Sequence, residues 1–409
     1  MKTCISLLLT LVICASVAVA QSTKDKIEIA GQTTSLTLVS PDFGFDETEA
    51  GIGGRFTFNF NRSIAADAEI NFFPQRPAIL AADGKAVQGQ FGVKIGKRFE
   101  KFGIFGKVRP GFLSVNKAGF FAPPGSQGGN FANFIFERRT FFTVDVGGVL
   151  EFYPSKRLVV RFDAGDTVIR HPDLFVGSFQ SPFSQLIRPA KFNNNFQFTA
   201  GVGFRLGDFP GDDTNAPPSS GGRELTRRFE VAAQFTSLFV NPPDFLGFGA
   251  TSRVHAEPGF GPRFTFNLTD NIALEAEANY YTRLLAFPRG GHMFQGQFGG
   301  KVGKRFDRWG FFGKARPGFV GFTQVVVFPA NGTPGALGFE NKFYPSLDVG
   351  GVVEFYVSPR WMVRFDVGDT MIRYSELVIP AGPNLPAFVI QPKETTHNLQ
   401  FSSGFGFRF

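Results

Sequence analysis

Cysteine is almost absent from this 409-residue chain: there are two, Cys4 and Cys14, and both lie in its first fifteen residues. Disulfide scaffolds and cysteine-based metal sites are therefore excluded for the rest of the chain. Histidine is scarce too, with four at positions 171, 255, 292 and 397, which leaves little for histidine-centred catalysis. After the first twenty residues no apolar run approaches the roughly 20 residues that a membrane-spanning helix needs. Charge of one sign is not concentrated either. The formal net charge of +8 is spread along the chain without a long basic run, so nucleic acid is not an expected partner.

The first twenty residues form a different kind of segment. Lys2 precedes an apolar stretch from Ile5 to Val17, and Ala18-Val19-Ala20 supplies a small-x-small cleavage site. This pattern predicts a secretory signal peptide over 1–20, removed to leave Gln21 first. Lipidation at Cys14 is the competing reading, and bulky Ile13 before it argues against that.

What the chain has in abundance is phenylalanine and glycine, 55 and 49 residues, at a mean hydropathy near zero. Most of the phenylalanines fall singly, and many recur two positions apart. That spacing suits a sheet with one face against lipid and the other against water or a polar core.

Internal repetition organises the rest. GRFTFNFNRSIAADAEINFF from Gly54 returns as PRFTFNLTDNIALEAEANYY from Pro262, and QGQFGVKIGKRF from Gln88 as QGQFGGKVGKRF from Gln295. VDVGGVLEFYPSKRLVVRFDAGDTVIR from Val144 answers LDVGGVVEFYVSPRWMVRFDVGDTMIR from Leu347. The period, about 200 residues, is too long for a solenoid unit, so each copy is domain-sized. Within the first copy, alternation predicts eight strands near 27–38, 51–60, 65–73, 87–99, 102–113, 141–153, 158–169 and 194–206. Short turns such as NRSI from Asn61 and PSKR from Pro154 alternate with long Pro-, Gly- and Asn-rich connections. Short turns at one end and long loops at the other are the pattern of a transmembrane barrel. A soluble sandwich or lipocalin-like barrel, with the apolar face as its core, is the alternative.

The chain closes on Phe405-Gly406-Phe407-Arg408-Phe409, an alternating strand with a terminal aromatic. This resembles the last-strand insertion signal of bacterial outer-membrane β-barrel proteins, carried by Phe405, Phe407 and Phe409. Each copy resembles the eight-stranded OmpA/OmpX-type barrel, here in tandem duplication. The resemblance implies an all-β, antiparallel up-and-down transmembrane barrel in the outer membrane of a Gram-negative-type bacterium. It also implies contact with outer-membrane lipid, and insertion by the barrel-assembly machinery. The expected organisation is a signal at 1–20, barrel repeat one at 21–206, a Pro/Gly/Ser-rich linker at 207–228 and barrel repeat two at 229–409. The architectural alternative is one sixteen-stranded porin-like channel made of both halves.

Charges recur at matched positions of inward parity. The first copy has Arg55, Asp67, Glu69, Lys94, Lys107, Arg109, Asp145, Glu151, Arg161, Asp163 and Arg205. The second has Arg263, Glu275, Glu277, Lys301, Lys314, Arg316, Asp348, Glu354, Arg364, Asp366 and Arg408. Each barrel is thus expected to enclose several acids and rather more bases. They would form either a selective pore or a salt-bridged plug, and the narrow bore of eight strands favours the plug. Asp163 and Asp166, like Asp366 and Asp369, differ in parity and so face different ways, which is poor geometry for an acid-base pair. Asp166 and Asp369 are expected near strand ends.

The repeat duplicates no histidine, and neither a phosphate-binding loop nor metal-ligand spacing is present. No enzyme site and no cofactor are therefore expected, and the role expected is structural or surface-interacting. Trp309 and Trp361, at short-turn ends, suit an interfacial aromatic girdle. The long loops from Val115 and Val325 differ between copies in length and charge where the strands scarcely differ, so any ligand or partner specificity is assigned to the loops.

Overall fold

A computed structural model describes residues 26–39, 46–74, 85–121, 134–178, 181–206, 228–243, 254–281, 291–327, 338–379 and 387–409. The signal segment 1–20 and the linker 207–227 lie outside the described residues, as do the tips of several long loops. Among the described residues every regular element is a strand.

The first half contains β1 (Ile27–Val39), β2 (Asp46–Asn59), β3 (Ile64–Phe73), β4 (Ala86–Arg98), β5 (Phe102–Phe121), β6 (Phe134–Ser155) and β7 (Leu158–His171). It continues with β8 (Leu174–Ser178), β9 (Ser181–Arg188), β10 (Lys191–Asn193) and β11 (Phe196–Leu206). The second half contains β12 (Phe229–Val240), β13 (His255–Asn267), β14 (Ile272–Tyr281), β15 (Met293–Arg305), β16 (Trp309–Val327) and β17 (Gly338–Tyr356). It ends with β18 (Trp361–Tyr374), β19 (Leu377–Ile379), β20 (Phe388–Gln391) and β21 (Glu394–Arg408).

Each half closes on itself. Strands β1 to β7 and β11 form one antiparallel barrel, sealed where β1 meets β11 with Ile27 opposite Leu206, and where β6 meets β7. Strands β12 to β18 and β21 form the second, sealed where Glu230 lies opposite Arg408. The sixteen-stranded alternative would need β11 to pair with β12. Instead each is hydrogen-bonded within its own half, so the architecture is two tandem eight-stranded barrels. Closure leaves neither sheet with a free edge.

The turns explain the short-turn end. Asn61 Oδ1 accepts the backbone N–H groups of Ser63 and Ile64, both at 2.8 Å, and Thr269 Oγ1 does the same for Asn271 and Ile272 in the second barrel. Ser155 and Ser358 accept N–H groups of Arg157 and Arg360. Such side-chain caps reverse the chain without glycine.

Strand parity then sorts the faces. Ile29, Ile52, Ile70, Phe91, Ile104, Phe142 and Phe204 point outward and are largely exposed, whereas the residues beside them point inward and are buried. Phe91 and Phe298, at matched positions, keep 62% and 60% of their surface exposed. A band this apolar on the outside of a closed barrel is compatible with hydrocarbon and not with water.

The structure departs from the expected strand limits at the long-loop end. β5 and β6 run 20 and 22 residues, with a register shift between Val115 and Ala118, and β16 and β17 run 19 each. A tilted strand crossing a bilayer needs about 9–11 residues, and these strands are about twice as long. Two further hairpins, β8–β9 and β19–β20, occupy connections that the sequence pattern predicts only as long loops. Their composition is turn-rich but their pairing is local, and alternation over three to eight residues is too short to stand out.

Candidate functional site

The inward side chains of each barrel form three tiers. At the short-turn end of the first, Glu151 is the hub: Lys94 Nζ and Arg161 approach it, Tyr153 donates its hydroxyl at 2.7 Å, and Arg98 lies 3.4 Å away. Arg98 also donates to Tyr153 and Asn59, each at 2.9 Å, and Arg205 lies 3.6 Å from Glu28.

The middle tier is the most densely charged. Arg161 grips Asp67 with both Nη atoms, at 2.9 and 2.7 Å, and Asp163 at 2.6 and 2.8 Å. Arg109 holds Asp145 at 2.6 Å, Glu69 at 2.6 Å and Asp67 at 3.0 Å, while Lys107 sits 2.8 Å from Asp145. Arg55 donates to Gln32 at 3.0 Å and so links this tier to an amide layer of Gln32, Asn71, Gln88 and Gln197.

At the long-loop end the polar lumen gives way to an apolar cap. Leu36, Leu38, Phe73, Leu113, Val115, Phe141 and Ile169 pack together across the bore. The His171 ring lies tilted against Phe141, centroids 5.3 Å apart, and borders this cap.

The second barrel repeats the arrangement at matched positions, with Glu275 where the first has Asp67. Lys301, Arg364 and Tyr356 surround Glu354; Arg364 grips Glu275 and Asp366; Arg316 bridges Glu277 and Asp348, each at 2.6 Å; and Lys314 lies 2.8 Å from Asp348. Arg263 donates to Gln234 at 2.9 Å and lies 3.4 Å from Asp366, and Arg408 lies 3.2 Å from Glu230. Its cap is Leu238, Val240, Tyr281, Met293, Val320, Phe322, Tyr344, Ile372 and Tyr374.

The sequence reading left out several members of these networks. Glu28 and Glu230 were missed because they sit at the first turn-side residues of their strands, yet the repeat IEIAGQ/FEVAAQ duplicates them with the parity of Gln32 and Gln234. Arg98 and Arg305, in the repeated GKRF, share the parity of Lys94 and Lys301. Glu49 and Glu257 are also buried, in register with Leu36 and Leu238 at the base of the cap. Counting them corrects the expected excess of bases. In the described first barrel Glu28, Glu49, Asp67, Glu69, Asp145, Glu151 and Asp163 stand against Arg55, Lys94, Arg98, Lys107, Arg109, Arg161 and Arg205, an even match. Near-neutrality is what a dry interior requires, since an unpaired buried charge is costly.

The paired carboxylates of RFDAGDT and RFDVGDT separate as their parity dictates. Asp163 and Asp366 point into the lumen, whereas Asp166 and Asp369 point outward and accept the backbone N–H groups of Asn195 and Asn398 at 2.7 and 3.0 Å. His397 Nδ1 lies 2.5 Å from Asp369 Oδ2 on the exposed side, and His292 contacts Tyr280. Among the described residues no three His, Cys, Asp or Glu side chains gather as metal ligands. Trp309 stacks on Phe306 at 4.7 Å, and Trp361 stacks on Phe405 at 4.7 Å; both are exposed at the short-turn end of the second barrel.

No protein-family model matches the chain, and no curated protein matches it. Solved structures do. Ail, the attachment invasion locus protein of Yersinia pestis, aligns at 15% identity and a TM-score of 0.28, covering 45% of this chain and all of its own. The N-terminal β-barrel domain of Pseudomonas aeruginosa OprF aligns at 10% and 0.24, covering 44% of this chain and 97% of its own. A Pseudomonas aeruginosa FadL homologue aligns at 11% and 0.27 over 94% of this chain and 90% of its own. At such low identity and TM-score, none of them transfers a ligand, a partner or a role.

Proposed function

We propose that this chain is an exported outer-membrane protein whose two barrels are sealed, and that it works through its surfaces, in a structural or surface-interaction role. The observation that carries this reading is the filling of each bore. From Glu28 and Arg205 through Arg161 and Gln197 to Leu38 and Phe141, inward side chains are buried and touch one another. A solute path would need a hydrated gap in that series. The apolar outer band supports contact with outer-membrane lipid.

The signal at 1–20 supports export, and the alternating Phe405, Phe407 and Phe409 support insertion by a barrel-assembly machinery. Phe409 pairs its backbone with Phe229, so the terminal aromatic completes the seam of the second barrel. Specificity toward a ligand or partner is assigned to the long-loop end, where β5–β6 and β16–β17 extend outward and differ between the copies.

The test is fractionation with electrophoresis. The protein is expected in the outer-membrane fraction, and unheated samples are expected to migrate apart from boiled ones because closed ladders resist detergent. Recovery as a soluble periplasmic protein without that shift would overturn the assignment.

A further inference from the structure

The outward face of each barrel is covered on one side by the other barrel. Val160 on β7 and Val363 on β18 point outward yet are fully buried, and Ser35 on β1 shares a 2.9 Å hydrogen bond with Ser237 on β12. These are matched positions of the repeat, as are Phe162 and Phe365, whose rings stack at 6.0 Å. The barrels therefore dock through the same patch on each, about a pseudo-two-fold axis, in the manner of a symmetric dimer. A hydroxyl pair at the centre of an otherwise apolar contact suits packing within hydrocarbon.

The two flanks of this contact differ. On one, Phe198 packs on Phe235 at 4.0 Å and Phe152 stacks on Phe405 at 4.9 Å. On the other, Phe401 and Phe355 match Phe198 and Phe152, but Thr33 stands where the second copy has Phe235, and Val202 where it has Phe405. Two rings are missing there, and a cleft of about 650 Å³ opens in their place, with Thr33, Val202 and Phe401 in its walls. Gly31 and Gly351 line it too, and a Cβ at either would meet nothing within 4 Å. Val202 belongs both to the cleft and to the docked cluster, so the cleft continues the interface.

An apolar gap forfeits dispersion contacts along its walls, and water gains few partners in it. In a bilayer the neighbouring matter is hydrocarbon. We propose that this cleft binds one acyl chain of a membrane phospholipid, which replaces the two rings that the first repeat lacks. The inference rests on the membrane reading above.

The experiment uses the full chain. The mature sequence has no cysteine, so a Ser35→Cys/Ser237→Cys variant reports docking by forming a disulfide in membranes. The parent, reconstituted with palmitoyl-oleoyl phosphatidylethanolamine and extracted into detergent, is expected to retain one phospholipid in native mass spectrometry. Thr33→Phe/Val202→Phe restores the missing rings and is expected to lose that lipid while keeping the heat shift. Three results would each overturn the proposal: no disulfide, no retained lipid on the parent, or equal retention by the ring-restored variant. Detergent in the lipid's place would do so as well. Loss of the heat shift in the parent would instead strike the membrane reading, and this inference with it.

Discussion

Replacing Arg364 with alanine is expected to destabilise the second barrel by about 3–5 kcal/mol, the cost typical of leaving a buried partner uncompensated. Arg364 is almost fully buried and reaches Glu275 and Asp366, while Lys301 and Arg316 remain near Glu275. Removing it strips its guanidinium hydrogen bonds from two acids that are themselves buried. Both tryptophans, Trp309 and Trp361, lie in the second barrel, and Trp309 stacks on Phe306 away from the contact with the first, so urea unfolding followed by tryptophan fluorescence reads chiefly that barrel. Arg161→Ala is expected to weaken the first barrel by a similar amount, seen in its heat-modifiable band, with a smaller shift of the fluorescence transition than Arg364→Ala gives. An Arg364→Ala protein as stable as the parent would mean that water reaches the acids, and the sealed-lumen account would fail.

A second large effect is expected from neighbouring glycines with opposite outcomes. Gly147 points inward on β6 in register with Gly165, and a Cβ there would lie 2.3 Å from the Ala164 carbonyl oxygen and 2.6 Å from Gly165 Cα. Both obstacles are backbone of the adjoining strand, so the wall itself must shift. Gly148 points outward, and a Cβ there meets nothing within 4 Å. Gly147→Val is expected to cost at least about 3 kcal/mol, the upper end of overpacking penalties, and to abolish the first barrel's heat-modifiable form. Gly148→Val is expected to refold as the parent does. Equal tolerance at both positions would contradict the close strand approach that narrows the bore.

The wall of each barrel was legible in the sequence because strand parity is a local signal. Phe142, Val144 and Val146 against Thr143, Asp145 and Gly147 already separate the faces, and the repeat doubles every such comparison. The charged tiers were legible for the same reason. What lay beyond reach depends on positions remote in sequence. The apolar caps use inward Leu36, Leu38 and Phe73 at strand ends, where an apolar residue of inward parity looks like an interruption of the pattern. Glu28 and Arg98 join one hub from strands 70 residues apart. The docking of the barrels is hidden further, since Val160 and Ser35 carry the same outward parity whether they face lipid or another barrel. Only the replacement of Phe235 and Phe405 by Thr33 and Val202 at matched positions hinted that the two outer faces are not alike.

Among the described residues the two bores are closed separately and filled from turn end to cap, and conductance of the refolded full-length protein in a planar lipid bilayer tests that most directly. Insertion without discrete openings is the predicted result. A stable pore of large unitary conductance would contradict it, because such a current requires a hydrated path where Arg161, Asp67 and the caps of the two barrels now stand.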